Sequence, residues 1–217
     1  MPKLAAVLTG DLVESGKAGA AAVERALDRL AQTADAIATW QPGAPPTRFT
    51  RFRGDGWQAV LSGAPALALR AAIVLRASLG AAGSETRIAI GFGSADSLGS
   101  RDLADAHGTA FERSGRALDA LARQPRMALA AGGANLAFHR IILDLIDERL
   151  QRWTPEQAEA AALYLVPANP TLAEIGERLG ITPQAVGYRL AGAGATRLRK
   201  ALADWEAAVD LAALGGP

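Results

Sequence analysis

The spacing of apolar residues changes along the chain and predicts alternating strands and helices up to residue 133. Short alternating or continuous apolar runs indicate strands, whereas apolar residues three or four positions apart indicate helices. By these criteria strands are predicted at residues 3–9, 48–53, 57–61, 86–92 and 127–131. Helices are predicted at residues 18–40, 66–79 and 108–122, with a proline- and glycine-rich loop at 41–46.

The order β-α-β-β-α-β, followed by α-β, predicts an α+β domain with a ferredoxin-like core. In that arrangement an antiparallel sheet carries its helices on one face. After Gly133 only helical spacing is found, beginning with a long helix at residues 136–153. This helix links the two parts, and its apolar stripe packs either in a dimer or within the chain. We therefore predict a nucleotidyl cyclase-type α+β domain at 1–133 and an all-α domain at 134–217.

Residues 171–190 carry the spacing of a helix-turn-helix. Ile175 lies on the apolar face of a first helix that ends at Gly180. A second helix begins with Thr182 as N-cap and a proline at its first position, and Val186 faces inward. Gly176 lies where the two helices cross too closely for a larger side chain. This pattern predicts DNA binding, and the alternative is a plain helical hairpin docked on the first domain.

In a helix-turn-helix the outer face of the second helix enters the major groove. Glutamine can recognise adenine there and arginine can recognise guanine, each through two hydrogen bonds. The basic residues just beyond would contact phosphates, and no acidic residue lies between Thr182 and Lys200. A solvated basic face is the alternative reading of this charge. The predicted DNA-contacting residues are Thr182, Gln184, Gly187, Tyr188, Arg189, Arg197, Arg199 and Lys200.

Composition excludes several classes of site. The chain has no cysteine and two histidines, so disulfides, thiolate zinc sites and cysteine nucleophiles are excluded, and a histidine-rich metal site is disfavoured. The most apolar stretch, 64–79, is interrupted by Arg70 and Arg76, which argues against a membrane span. No targeting segment is recognisable at the N-terminus. We expect a cytoplasmic protein with no membrane partner.

Two aspartates follow predicted strands in the first domain. Asp11 lies just past the first strand, and Asp55 lies in the hairpin between the second and third strands. In a ferredoxin-like core these positions approach one edge of the sheet. Two neighbouring carboxylates repel each other unless a cation joins them, and oxygen ligands suit Mg²⁺ or Mn²⁺ bound to nucleotide phosphates. The alternative is that both aspartates are ordinary turn residues.

Three segments resemble the motifs of class III nucleotidyl cyclases. Residues 9–13 (TGDLV) and 51–60 (RFRGDGWQAV) are similar to the two metal-binding motifs of that family, and residues 105–116 (DAHGTAFERSGR) are similar to its third motif. Together with a C-terminal helix-turn-helix, these segments resemble the SatD family, small bacterial proteins often described as regulators. The resemblance covers residues 4 to about 130.

The resemblance implies a role for each matched residue. Asp11 and Asp55 would hold Mg²⁺ or Mn²⁺, Arg51 and Asp105 would contact a purine, and Arg116 would steady the phosphates. Glu112 stands where the cyclases use an asparagine that orients the ribose. A carboxylate there adds negative charge beside a triphosphate, which costs on the order of 1 kcal/mol at ~4 Å. The implied result is nucleotide binding with turnover impaired.

The leading hypothesis is a transcriptional regulator that binds double-stranded DNA and whose cyclase-like domain binds a nucleotide, a divalent metal or both. A homodimer is expected, because helix-turn-helix proteins normally present two recognition helices. The first alternative is an active metal-dependent nucleotide cyclase or nucleotide-processing enzyme with an accessory helix-turn-helix. The second is a degenerate domain that only dimerises.

Overall fold

A computed structural model describes residues 3–41, 43, 48–52, 54–100, 102–122, 124–133 and 136–216. It is an α+β structure with one five-stranded mixed sheet in the order β2-β3-β1-β4-β5. β5 is parallel to β4, and the other neighbours are antiparallel. The predicted loop at 41–46 lies mostly outside the described residues. The strands are β1 Lys3–Leu12, β2 Thr50–Phe52, β3 Gly56–Leu61, β4 Thr86–Ala95 and β5 Met127–Ala130.

Helices make up most of the rest of the described chain, and each predicted helix is present. The helix expected at 18–40 is divided at Gly19, whose φ of 76° does not continue a helix. The all-α part adds two helices after residue 194. The helices are α1 Ser15–Ala18, α2 Ala20–Ala38, α3 Ala68–Ala81, α4 Thr109–Asp119, α5 Leu136–Gln151, α6 Pro155–Tyr164, α7 Leu172–Leu179, α8 Pro183–Ala193, α9 Ala195–Ala208 and α10 Leu211–Gly215.

Helices cover both faces of the sheet, so the expectation of helices on one face is wrong. α2, α3 and α5 pack on the face that carries Leu8 and Ile90, whereas α4 packs on the opposite face, where Val7 contacts Phe111. α4 can approach β4 closely because Gly91 lies beneath it. A Cβ at Gly91 would stand 2.3 Å from the backbone oxygen of Ala110. Glycine in β4 therefore leaves room for a helix on the second face.

α3 is the central helix of the structure, because it lies between the sheet and the all-α part. Every residue from Ala68 to Leu79 is buried, including two arginines. Arg70 donates two hydrogen bonds to the Glu206 carboxylate of α9, at 2.6 and 2.8 Å, and Arg76 pairs with Asp147 of α5. The two arginines that interrupt the apolar stretch thus join α3 to the helices that follow the sheet.

One apolar cluster continues from the sheet into the helices after residue 136. Phe92 of β4 packs beside Trp205 of α9, with ring centroids 6.3 Å apart. The last helix also returns to the sheet, where the backbone N–H of Gly132 donates to the Leu214 oxygen at 2.9 Å. The part of the chain that the structure describes contains no helix with both the length and the apolar character needed to cross a bilayer.

Candidate functional site

α7 and α8 are two short helices whose ends are fixed by local side chains. The Thr171 hydroxyl and Glu174 form a reciprocal capping box at the start of α7. Gly180 ends α7 in the left-handed conformation, with φ 66°. Thr182 then caps α8 by accepting a hydrogen bond from the Ala185 N–H at 3.1 Å, with proline next along the chain. The predicted capping of this segment is confirmed.

The two helices are held at a close crossing by their buried residues. Ile175 of α7 and Val186 of α8 are fully buried in the main apolar cluster. Gly176 lies against the turn, where a Cβ would stand 2.7 Å from the Ile181 oxygen. The expectation that this crossing admits only glycine is confirmed, because a backbone oxygen cannot move away as a flexible side chain can.

The outer face of α8 carries the residues predicted to contact bases. Gln184 and Tyr188 are neighbours one turn apart, and the Gln184 amide donates to the Tyr188 hydroxyl at 3.2 Å. Tyr188 is 71% exposed, although it is a large aromatic residue. Gly187 lies between this face and Leu172 of α7, whose methyl group would be 3.9 Å from a Cβ there. Thr182 is exposed, but its hydroxyl is engaged in the cap.

The four predicted basic contacts differ in their exposure. Arg197 is exposed on α9, and Lys200 pairs with Asp204 one turn later at 2.5 Å. Arg189 lies on the flank of α8, where it binds Glu159 of α6 at 2.9 Å and keeps 26% of its side chain exposed. Arg197 and Lys200 are therefore the cations most accessible to a phosphate.

Arg199 is directed into the structure rather than outward. Its guanidinium lies 3.2 Å from the centre of the Tyr164 ring and donates to the Tyr164 backbone oxygen. Its Nε is buried with no hydrogen-bond partner, and burial lowers the pKa of this guanidinium below its ordinary value. The structure assigns Arg199 to packing between α9 and α6.

Asp11 and Asp55 lie beside each other at one end of the sheet, where the sequence predicted that they would approach each other. Asp11 lies opposite Gly56 in the β1–β3 pairing, and the Leu12 N–H donates to the Asp55 backbone oxygen at 3.3 Å. The packing of a neighbouring side chain explains why a glycine precedes Asp11. A Cβ at Gly10 would stand 2.5 Å from the Trp57 ring, which lies buried across it.

Both carboxylates already have partners within the chain. Arg87 of β4 donates from Nε to one Asp11 oxygen at 2.8 Å, and its other nitrogen binds the second oxygen. These hydrogen bonds raise the pKa of Arg87 above its ordinary value. The Ser15 hydroxyl donates to Asp55. Among the described residues no cluster of three or more histidine, cysteine, aspartate or glutamate side chains is placed to hold a metal ion.

The two residues expected to contact a purine lie on opposite faces of the sheet. Arg51 of β2 reaches α2, where it binds Glu24 at 2.5 Å and also Asp28. Asp105 lies in the loop on the α4 side, where its carboxylate accepts from the Ser100 N–H at 3.2 Å. These hydrogen bonds lower the pKa of Asp105 below its ordinary value. Within one chain the structure does not bring Arg51 and Asp105 together.

The remaining two predicted residues are neighbours on the exposed side of α4. Arg116 pairs with Glu112 one turn earlier at 3.2 Å, and both side chains are more than half exposed. Arg116 is therefore a surface cation with a local partner. In the described part of the chain, no hydrogen bond or ion pair joins Glu112 or Arg116 to the carboxylates of Asp11 and Asp55.

Arg87 was not predicted as a site residue, although it faces both aspartates. A single charged residue within the apolar run TRIAIGF was a usable signal, because a partly buried arginine in a strand requires a carboxylate partner. A cavity of about 500 Å³ beside Ser15 was also not predicted. Its walls come from residues far apart in sequence, and they include Lys17, Glu85 and Arg126.

Comparison with models of known protein families finds no match to this chain, and comparison with curated proteins finds no significant similarity.

Proposed function

We propose that the chain is a DNA-binding transcriptional regulator in which α7 and α8 form a helix-turn-helix. The observation that carries this proposal is the outer face of α8, which presents Gln184 and an exposed Tyr188 on a helix fixed by its own cap. Polar side chains on such a face suit the base edges of a major groove.

The charge around α8 supports the same proposal. From residue 178 to residue 200 the sequence has five basic residues and no acidic one. Residues 134–217 as a whole carry eight basic and ten acidic residues, a net charge of −2, so the positive charge is local. A local positive surface is what phosphate contacts need. Arg197 and Lys200 supply it, while Arg189 of α8 is held by Glu159 of α6.

Substitutions on α8 and α9 should weaken DNA binding in two distinguishable ways. Gln184→Ala and Tyr188→Ala should each cost about 1–3 kcal/mol, roughly 5- to 150-fold in affinity, on a preferred sequence only. Arg197→Ala should weaken binding to every sequence and reduce the salt dependence by about one counter-ion. The measurement is a gel shift at about 100 mM salt, with duplex DNA from upstream of the protein's own coding sequence and an unrelated duplex.

The matched control for these variants is Lys17→Ala, because Lys17 is an exposed cation on α1 rather than on α8 or α9. It should leave both affinities unchanged. If no duplex is shifted, or if Lys17→Ala weakens binding as much as Arg197→Ala does, α8 is not the recognition helix of a DNA-binding protein.

For the N-terminal part we propose a ferredoxin-like core related to the class III cyclase-like domain of the SatD family. The order β2-β3-β1-β4, with α2 and α3 as the two crossing helices, supports this assignment, and β5 is then an added edge strand. The position of Asp11 beside Asp55 supports a site for a divalent metal and a nucleotide. Arg87 already binds the Asp11 carboxylate, which supports weak binding of a metal and nucleotide rather than turnover.

The alternative is an active metal-dependent nucleotide cyclase or nucleotide-processing enzyme. It requires Arg87 to release Asp11, and it requires Arg51 to leave Glu24 and Asp28. Incubation with Mg²⁺ or Mn²⁺ and ATP or GTP, followed by chromatography, separates the two proposals. A cyclic product that is abolished in Asp55→Ala would establish the enzyme.

Arg87→Gln should strengthen Mn²⁺ binding at least tenfold over the wild type. A unit charge about 4 Å away contributes on the order of 4 kcal/mol at an effective dielectric constant of 20, so removing the guanidinium favours a cation beside Asp11. Electron paramagnetic resonance of free Mn²⁺ during a titration measures the change. The variant Arg87→Gln with Asp11→Asn is the control and should lose the gain. Equal Mn²⁺ affinity in Arg87→Gln and the wild type would argue against a metal at these aspartates.

We also propose a homodimer formed through α5. This helix buries one side against the sheet and exposes four large apolar side chains on the other. They form an apolar patch on the order of 400 Å², a size that marks interaction surfaces on soluble proteins. A standard interface buries about 800 Å² on each partner, so the patch suits its apolar centre. The exposed fractions are 70% for Phe138, 55% for Ile141, 38% for Ile142 and 68% for Leu145.

A further inference from the structure

A second cavity lies where the sheet part meets the all-α part. It has a volume of about 410 Å³ and is walled by α2 and α3 on one side and by α6 and α7 on the other. This volume falls within the range of small-molecule sites. We propose that it binds a small organic anion with a flat apolar body, such as an aromatic carboxylate or sulfonate.

The interior of the cavity is apolar and suits a ring system. Val74 of α3, Leu163 of α6 and Leu179 of α7 all line it. Trp40, just after α2, lines the cavity and is partly buried. Contacts of this kind favour a flat apolar molecule because they remove its surface from water.

Few groups in the cavity could recognise the polar edge of a nucleotide base. The Thr33 and Ser78 hydroxyls face each other at 2.8 Å and satisfy one another. The Thr33 hydroxyl also donates to the Arg29 backbone oxygen, again at 2.8 Å. Gln32 is the remaining uncharged polar side chain of the lining apart from Trp40, so the apolar wall offers few partners for the donors and acceptors of a purine.

Two arginines make the mouth of the cavity positive. Arg29 belongs to α2 and Arg178 to α7, so they reach the cavity from opposite parts of the chain. Both are exposed, and neither guanidinium forms an ion pair with a carboxylate among the described residues. A guanidinium binds a carboxylate or sulfonate through paired hydrogen bonds. An anion at this mouth would join α2 to α7.

The third charged residue of the wall connects the cavity to α8. Glu159 lines the cavity and accepts a hydrogen bond from Arg189 of α8 at 2.9 Å. An anion bound beside Glu159 would repel this carboxylate and so change the strength of the ion pair between Glu159 and Arg189. The site itself stands on the cavity and its charges, whereas an effect of the ligand on DNA binding rests on the proposed function.

A pair of dyes tests the charge requirement directly. 8-Anilinonaphthalene-1-sulfonate has an apolar aromatic body and a sulfonate, and N-phenyl-1-naphthylamine has the same body without the charge. We expect the full chain to bind the sulfonate at least tenfold more tightly than the neutral dye. The double variant Arg29→Gln with Arg178→Gln should lose at least tenfold in affinity for the sulfonate and less than twofold for the neutral dye.

Energy transfer from tryptophan to the dye locates the bound molecule. Trp40→Phe should reduce this transfer, because Trp40 lines the cavity and the chain's other three tryptophans do not. Ile141→Ser with Leu145→Ser alters the exposed face of α5 and should leave dye binding unchanged. The proposal is overturned if the arginine variant binds both dyes as the wild type does, or if the α5 variant abolishes binding. No DNA is present, so a failure here is distinct from a failure of α8 to bind DNA.

Discussion

Replacing Asp147 with alanine should lower the free energy of unfolding by about 3–5 kcal/mol, because it leaves a buried charge without its partner. Only 1% of the Asp147 side chain and 7% of the Arg76 side chain are exposed. One carboxylate oxygen binds the Arg76 guanidinium of α3, and the other accepts from the Arg126 backbone N–H at 2.6 Å. Burial lowers the pKa of Arg76, and the Asp147 carboxylate opposes that shift. Urea denaturation followed by circular dichroism measures the loss.

The matched control replaces both partners with apolar residues of similar size. Arg76→Met with Asp147→Leu removes the buried charge as well as its partner, and such exchanges are often neutral or stabilising. It should recover most of the stability lost in Asp147→Ala, apart from the hydrogen bond to Arg126. A loss below about 1 kcal/mol in Asp147→Ala would mean that water reaches this pair, since exposed ion pairs contribute only that much.

Features decided by a few neighbouring residues were predictable from the sequence. The end of α7 at Gly180 and the cap of α8 at Thr182 both appear as expected. Each depends on a hydrogen bond between residues three positions apart, or on a glycine that tolerates positive φ. The close contact at Gly176 belongs to the same class, because a short turn fixes which residues of the two helices meet.

Features decided by distant residues were harder to predict. β1 continues to Leu12 because its last residues pair with the start of β4, more than seventy positions away. α4 was placed on the wrong face, although Gly91 and Gly93 in β4 mark where a helix backbone comes close. Periodicity shows that a helix has an apolar side, but it does not show which face of the sheet that side covers.

The partners of charged residues depend on the whole fold, and this limited the prediction of the candidate site. The sequence places Arg51 next to a segment that resembles a metal-binding motif, but strand alternation turns its side chain towards Glu24 and Asp28 on α2. Arg87 reaches Asp11 because β4 lies beside β1, which no local pattern indicates. A motif match therefore located the two aspartates but not the cation that holds one of them.

Leu145→Asp should dissociate the proposed dimer, with a weakening of at least 100-fold. The four apolar residues of α5 follow the pattern FxxIIxxL, in which the apolar positions are symmetric about the point between Ile141 and Ile142. Two antiparallel copies of α5 can therefore pack Phe138 against Leu145 of the second copy, as a two-fold interface requires. A carboxylate at position 145 would be buried in this interface without a partner. Light scattering should give twice 22.4 kDa for the wild type and 22.4 kDa for the variant.

Arg140→Asp is the matched control, because Arg140 is exposed on α5 but lies outside the apolar stripe. It introduces the same carboxylate, with an even larger change in net charge, and should leave the mass at the dimer value. Leu145, at one end of the apolar stripe, lines a shallow groove together with Arg197 of α9. A two-fold axis through α5 therefore relates the basic surface around Arg197 to the same surface of the second copy. Loss of the dimer should therefore also weaken binding to a two-site duplex, since each monomer then binds one half-site alone. A wild-type chain that remains monomeric at the highest concentration measured would exclude both the interface and this cooperative binding.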